Sequence, residues 1–205
     1  ERFAGRKLSG IDTSQAMLEK AQATGAYQAL RRADAADWQP DSPAALIFSN
    51  AALQWIGQHD RLLPRLASLV AKGGMLAVQV PHQNRAPSHR LWHDLVERHF
   101  PGRFDPATAP GVLEPAEYHR ILAPLGDATI WETEYFQKLP PSKEVHPVRL
   151  FTSSTFARPV IAVLDEDEGA YLCRLYDEAM ETAYPRDTDG SVLFPFRRLF
   201  FTLDI

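Results

Sequence analysis

Ala44-Ala45-Leu46-Ile47-Phe48 is a continuous apolar run that stops at Ser49-Asn50. A run of this kind suits a strand covered on both faces of a parallel sheet. Its surroundings repeat the theme. Downstream, leucines 62, 63, 66 and 69 with Val70 keep helical spacing, which predicts a helix over residues 60–70. Gly73-Gly74 is expected to stop that helix, and Met75-Leu76-Ala77-Val78-Gln79-Val80 reads as another buried strand closed by Pro81. Upstream, Lys7-Leu8-Ser9-Gly10-Ile11 reads as a short strand ending at Asp12. Ser14 then predicts a helix N-cap, with Met17, Leu18 and Ala21 on one face. Strands alternating with helices mean an α/β fold with a parallel sheet and right-handed crossovers.

The texture changes after Pro81. Ten of the 16 prolines lie between Pro81 and Pro147. Helices are predicted over residues 88–100 and 115–125, the second opened by Glu114 before a proline. Residues 129–136 alternate apolar and polar, the pattern of a half-buried strand. Two or three helices are predicted in 143–184, and strands at 192–194 and 199–203.

Composition bounds the function. The chain has 205 residues, 45% apolar and 23% charged, which is one globular domain with a sizeable core. The formal charge of -4, from 22 basic and 26 acidic side chains, argues against nucleic-acid binding by bulk electrostatics. No apolar run approaches the ~18 residues of a membrane span. A single cysteine, Cys173, and the lack of a signal-peptide pattern point to the cytoplasm. Cys173 itself sits among Ala170, Leu172 and Leu175 and reads as a packing residue.

Chemistry is sparse. His89 and His93 are spaced i, i+4 with Glu97 a turn on, but Arg90 stands where a zincin has glutamate, so no metal is expected. There is no nucleophile elbow, Walker A loop or G-x-G-x-x-G motif. Asp12, at the end of a strand, is placed either to accept ribose hydroxyls or to open the next helix. Ser49-Asn50 leaves a strand at the carboxyl end, where open α/β sheets bind ligands; a helix cap is the other reading. Asp34 and Asp37, by spacing alone, are loop acids. In Phe196-Arg197-Arg198-Leu199 alternation sends one arginine inward. That arginine needs an anion, unless one of the pair is exposed and the other meets a protein carboxylate.

Several of these stretches resemble the class I S-adenosylmethionine-dependent methyltransferases. Residues 8–18 are similar to that family's second-strand motif and residues 33–38 to its third-strand loop. Residues 46–55, 74–81, 87–89, 131–135 and 195–200 resemble, more closely, the branch that methylates trans-aconitate. Near residues 149–159 the likeness is confined to Thr155 and Arg158-Pro159.

The resemblance implies a Rossmann-like sheet built by residues 6–81, 127–138 and 191–204. One methyltransferase domain is expected over 1–205, with helical cap insertions at 82–126 and 141–190 over the carboxyl ends of the strands. The family's first strand and glycine-rich loop would lie upstream of Glu1, and residues 1–3 look like the end of its first helix, so the domain reads as N-terminally truncated. The implied activity is methyl transfer from S-adenosylmethionine to a carboxylate of a small polycarboxylic acid such as trans-aconitate, by a monomer. Asp12, Met17, Asp34, Ala35, Asn50 and Ala51 are then expected at the cofactor. Trp55, His89, Arg158, Arg197 and Arg198 are expected at the substrate. No general base is expected, because a carboxylate is already ionised at neutral pH. A methyltransferase for another small or carrier-bound acid, and a non-catalytic truncated remnant, are the alternatives.

Overall fold

The computed structural model describes residues 3, 5–109, 111–153 and 155–205. The helix end expected at residues 1–3 falls largely on Glu1 and Arg2, which lie outside them. Strand β1 (Ser9–Asp12) and β2 (Ala29–Arg32) pair in parallel, with Asp12 opposite Arg32 and helix α1 (Gln15–Ala23) as the crossover. Ser14 is the N-cap residue of α1, but its hydroxyl makes no capping bond. The carboxylate of Asp12 accepts from the Ser14 amide at 2.8 Å instead. On α1 Leu18 is buried, whereas Met17 is 50% exposed, so the expected apolar face is narrower than its spacing suggested.

A second sheet has the order β3-β4-β6-β5. β3 (Ala44–Asn50) and β4 (Val70–Pro81) are parallel, joined through α2 (His59–Ser68). β5 (Asp127–Leu139) and β6 (Val192–Asp204) are antiparallel, and β6 also runs antiparallel to β4. One face of this sheet carries Leu76, Val78 and Val80 of β4 with Leu199, Phe201 and Leu203 of β6. These bury against Leu62, Leu63 and Leu66 of α2 and against Tyr118 and Leu122 of α4 (Pro115–Leu122). A capping box between Glu114 and Glu117 starts α4, as Glu114 before Pro115 suggested.

Three sequence expectations change here. β3 is not covered on both faces: Leu46 is 39% and Phe48 69% exposed. It lies at the edge of its sheet, and among the described residues only β4 pairs with it. Gly73-Gly74 does not stop α2, which ends at Ser68; Val70 already belongs to β4. The two glycines make a bulge, where the register slips from Ala44 opposite Val70 to Leu46 opposite Met75. Gly73 has φ +75, and a Cβ on Gly74 would lie 2.8 Å from the carbonyl oxygens of Ala45 and Ala71. Finally, the two closing strands are one. Pro195 is tolerated inside β6 because β4 ends opposite Arg198, so beyond that point β5 is the strand paired with β6.

Past the end of β4 the β5–β6 ribbon runs on into a helical layer. This layer comprises α3 (Pro87–His99), α5 (Pro147–Ser153), α6 (Arg158–Ile161) and α7 (Glu166–Ala183). Trp92 of α3 and Tyr176 of α7 stack at 3.9 Å, surrounded by Val148, Val160, Leu172, Met180, Phe194 and Phe196. The 115–125 helix, grouped with the cap by sequence, packs instead beneath the sheet with α2, because Tyr118 and Leu122 supply its apolar face.

Candidate functional site

The parallel strands end at a set of tight turns. Ala51, directly after β3, has φ 51, a left-handed conformation that costs a non-glycine residue about 1–2 kcal/mol. Its amide donates to the Gln79 carbonyl at 2.9 Å, and its own carbonyl accepts from Gln54 Nε2 at 2.9 Å. The following 3-10 turn, Leu53–Trp55, buries Leu53 and Gln54 and leaves Trp55 53% exposed. Buried His59 holds this turn in place. Its Nε2 donates to the Leu53 carbonyl at 2.9 Å, and Nδ1 meets the Tyr118 hydroxyl at 2.8 Å. Ser49 Oγ and Gln54 Oε1 are buried without a partner among the described residues. Each such group costs about 1–3 kcal/mol unless something outside the chain satisfies it.

Asp12 and Asp34 stand at the same end of the β1–β2 pair, where the Ala33 amide donates to the Asp12 carbonyl at 3.2 Å. Asp12 uses Oδ1 for Ser14, and among the described residues nothing donates to Oδ2. Asp34 is exposed and accepts from the Ala36 amide at 2.8 Å, closing the turn that carries Ala35. Arg65 of α2 donates to the carbonyls of Ala35 and Trp38, which brings this turn to the other sheet. Asn50 is exposed at the tip of β3 and Ala51 partly buried.

The arginine pair divides in an informative way. Arg197 is exposed and pairs with Glu134 at 3.4 Å. Arg198 turns inward. Its Nη1 donates to Gln79 Oε1 at 3.0 Å and its Nε to the Tyr135 hydroxyl at 3.0 Å, while its guanidinium lies 4.5 Å from the Phe196 ring centre. No carboxylate lies within 4.0 Å of Arg198 among the described residues. Arg197 thus has a protein carboxylate, and Arg198 has neutral partners among the described residues.

His89 and Arg158 fall elsewhere. His89 is buried on α3 against Phe156, its Nδ1 3.0 Å from Ser88 Oγ. Burial, with nearby His93 adding to it, pushes its imidazole down to about 4. It is neutral at physiological pH, so at the substrate, where the resemblance puts it, it would bring no positive charge. His93 stacks on the same Phe156 ring and is also pushed down by burial. Arg158 is exposed at the start of α6. Burial pushes the Cys173 thiol up, away from the reactive thiolate.

Sequence reasoning passed over Gln79, Tyr135 and His82. A glutamine inside the apolar run of β4 was the available signal for the first. His82, just beyond β4, has a nearly buried side chain whose Nδ1 meets Glu132, with Glu114 on its other side. The partners of Tyr135 and His82 lie on distant elements, which local pattern does not report.

Comparison with known proteins gives the family. A family described as Methyltransferase domain matches residues 1–78. A protein of Methylobacterium radiotolerans named trans-aconitate 2-methyltransferase is 38% identical, covering 97% of this chain and 78% of that protein. One of the same name from Pseudomonas aeruginosa is 34% identical over 97% of this chain and 74% of its own length. Among solved structures, the YcgJ protein of Bacillus subtilis shares the fold with a TM-score of 0.55 at 12% identity, covering 96% of this chain and 81% of that one. A phosphoethanolamine N-methyltransferase of Haemonchus contortus, solved with S-adenosylhomocysteine, has a TM-score of 0.52 at 14% identity, over 98% of this chain and 44% of its own. The chain thus belongs to the class I S-adenosylmethionine-dependent methyltransferases, in the family of the trans-aconitate 2-methyltransferases, and S-adenosylmethionine is its methyl donor.

Proposed function

We propose that the protein methylates a carboxylate of a small polycarboxylic acid, with trans-aconitate as the substrate. The observation that carries this reading is Arg198, an inward guanidinium with no carboxylate partner among the described residues, at the end of the sheet where β3 and β4 stop. The residues present fit the cofactor. Asp12 keeps one carboxylate oxygen open for ribose hydroxyls, and Ser49 Oγ is a buried polar atom awaiting a partner at the tip of β3. Asp34 and Ala35 would meet the adenine, Met17 would flank it, and Asn50 with Ala51 would line the cleft.

S-adenosylmethionine supplies an electrophilic sulfonium methyl, which a carboxylate oxygen takes up to give a methyl ester and S-adenosylhomocysteine. The protein needs no base for this, because the acceptor is ionised well below neutral pH. Its residues instead orient the acid and exclude water. Arg198 would hold a carboxylate of the acid, with Arg197 and Arg158 as outer cations, Trp55 as a wall and His89 as a neutral neighbour. We place the protein in the cytoplasm on its lone Cys173, and take it as a monomer whose partner is a small acid. Among the described residues no helix is long and apolar enough to cross a membrane.

Radiolabelled methyl transfer to trans-aconitate, beside malonyl-carrier and phenolic acceptors, tests the proposal. Turnover of trans-aconitate alone is the expected result. Turnover of another acceptor only would overturn the substrate while leaving the methyltransferase in place.

A further inference from the structure

Gln79 is 2% exposed in the middle of an apolar strand, an expensive place for a carboxamide. The register puts Asn50 opposite Gln79 and Arg198 opposite Pro81, so Asn50, Gln79 and Arg198 share one face of the sheet. A guanidinium only donates, so the amide has to present Oε1 to Arg198, at 3.0 Å. That contact fixes the amide's orientation. Nε2 is turned away with both of its N–H groups, and it is buried with no acceptor among the described residues. Tyr135 accepts from Arg198 Nε, which leaves its own O–H to donate. Nη2 of Arg198 likewise has no partner among the described residues. The cluster is therefore rich in donors, carries one positive charge and holds no carboxylate, which is the complement of a planar oxyanion with two accepting oxygens.

We infer that Gln79 is a specificity-determining residue: its Nε2 and the Arg198 guanidinium together hold the substrate carboxylate that does not receive the methyl group. The inference rests on the proposed function. The carboxylate held here is the non-reacting one for a chemical reason. Oxygens engaged by a guanidinium and an amide are poorer nucleophiles, and esterifying them would remove the charge that Arg198 requires. The substrate class is consequently a small acid with at least two carboxylates, one clamped and one free to react.

The test is calorimetric binding of trans-aconitate to the whole protein in the presence of S-adenosylhomocysteine. The variants are Gln79→Glu and Gln79→Leu. Gln79→Glu gives Arg198 an internal carboxylate that cancels the charge offered to the substrate, whereas Gln79→Leu removes the amide donor and leaves that charge open, so the leucine variant reads the amide's own contribution. We expect both variants to weaken trans-aconitate binding by at least about tenfold, the loss set by one charge-assisted contact, while S-adenosylhomocysteine binding stays unchanged. Gln79→Leu suits the apolar strand and keeps the test sound should the glutamate disturb folding. Unchanged trans-aconitate binding in either folded variant would overturn the inference, and turnover of trans-aconitate by the wild type would then leave the proposed function standing. A wild type that binds S-adenosylhomocysteine but no polycarboxylate would overturn both.

Discussion

Arg65 on α2 donates from Nη1 to the carbonyl of Ala35 at 3.1 Å, and from Nη2 to the carbonyl of Trp38. The relationship matters because β1 and β2 form a sheet of their own, separate from the four strands that α2 packs against. One guanidinium satisfies two backbone carbonyls of the turn that carries Asp34 and Ala35. It so registers the proposed adenine end of the cofactor site against β3 and its tip.

Arg65→Met should therefore cost about 2 kcal/mol of stability, the scale for hydrogen bonds from a charged group. It should also weaken S-adenosylmethionine binding, because the turn at residues 33–38 loses its tether. Urea unfolding and calorimetry read the two effects separately. A loss of stability with unchanged cofactor affinity would remove this turn from the binding site.

Asp12 has a structural and a proposed ligand-binding role, and they can be split. Asp12→Ala should weaken S-adenosylmethionine binding by about 1.5–3 kcal/mol, and Asp34→Ala by less, since the adenine amino group can turn to water. Asp12→Asn keeps an oxygen for the Ser14 amide, so α1 should start normally while part of the affinity is lost. If Asp12→Asn binds the cofactor as the wild type does, the carboxylate serves α1 alone.

Arg198→Met should raise KM for trans-aconitate much more than KM for a monoanion, with a smaller change in kcat, because a clamp contributes uniform binding. Arg197→Met should do less, since that side chain is exposed and already paired with Glu134. Steady-state kinetics with the two acceptors decide the matter. Equal effects from the two arginines would contradict the inward and outward assignment.

His89 should make the protein acid-sensitive. Its imidazole is pushed from 6.5 down to about 4. Above 6.5 the ring is neutral in both folded and unfolded chains and adds no pH dependence. As pH falls below 6.5 the unfolded chain takes up a proton that the folded chain refuses, until both hold it near 4. Stability should drop across that window by up to about 3 kcal/mol from this ring. Denaturant titrations through the window should show a shallower loss for His89→Gln. Parallel slopes for the two proteins would mean that His89 is solvated.

Much of the architecture was legible in the chain itself. Helical spacing placed α2, Glu114 before Pro115 announced a capped helix, and alternation at residues 129–136 announced β5. These signals are local: a few residues fix the backbone period and the cap. The proposed site was legible in part, because Asp12 and Asn50 fall at strand ends that the same pattern locates, whereas Asp34 was singled out by the family resemblance alone.

What the tertiary structure decided is what depends on partners far away in sequence. Ala44–Phe48 looks doubly covered, yet Phe48 is exposed, since an apolar run records a strand's composition and not its neighbours. β2 was missed because Arg31 and Arg32 spoil its pattern; their partners are Asp41 and the Thr13 carbonyl. Nothing local separates Arg197 from Arg198 either. Glu134 claims the first, while Gln79 and Tyr135 receive the second and leave its charge unanswered. The sequence by itself determined which groups the protein carries and the period on which they repeat. The fold determined their charge state and their company, because desolvation and hydrogen bonding are set by whatever packs around a group and not by the residues beside it.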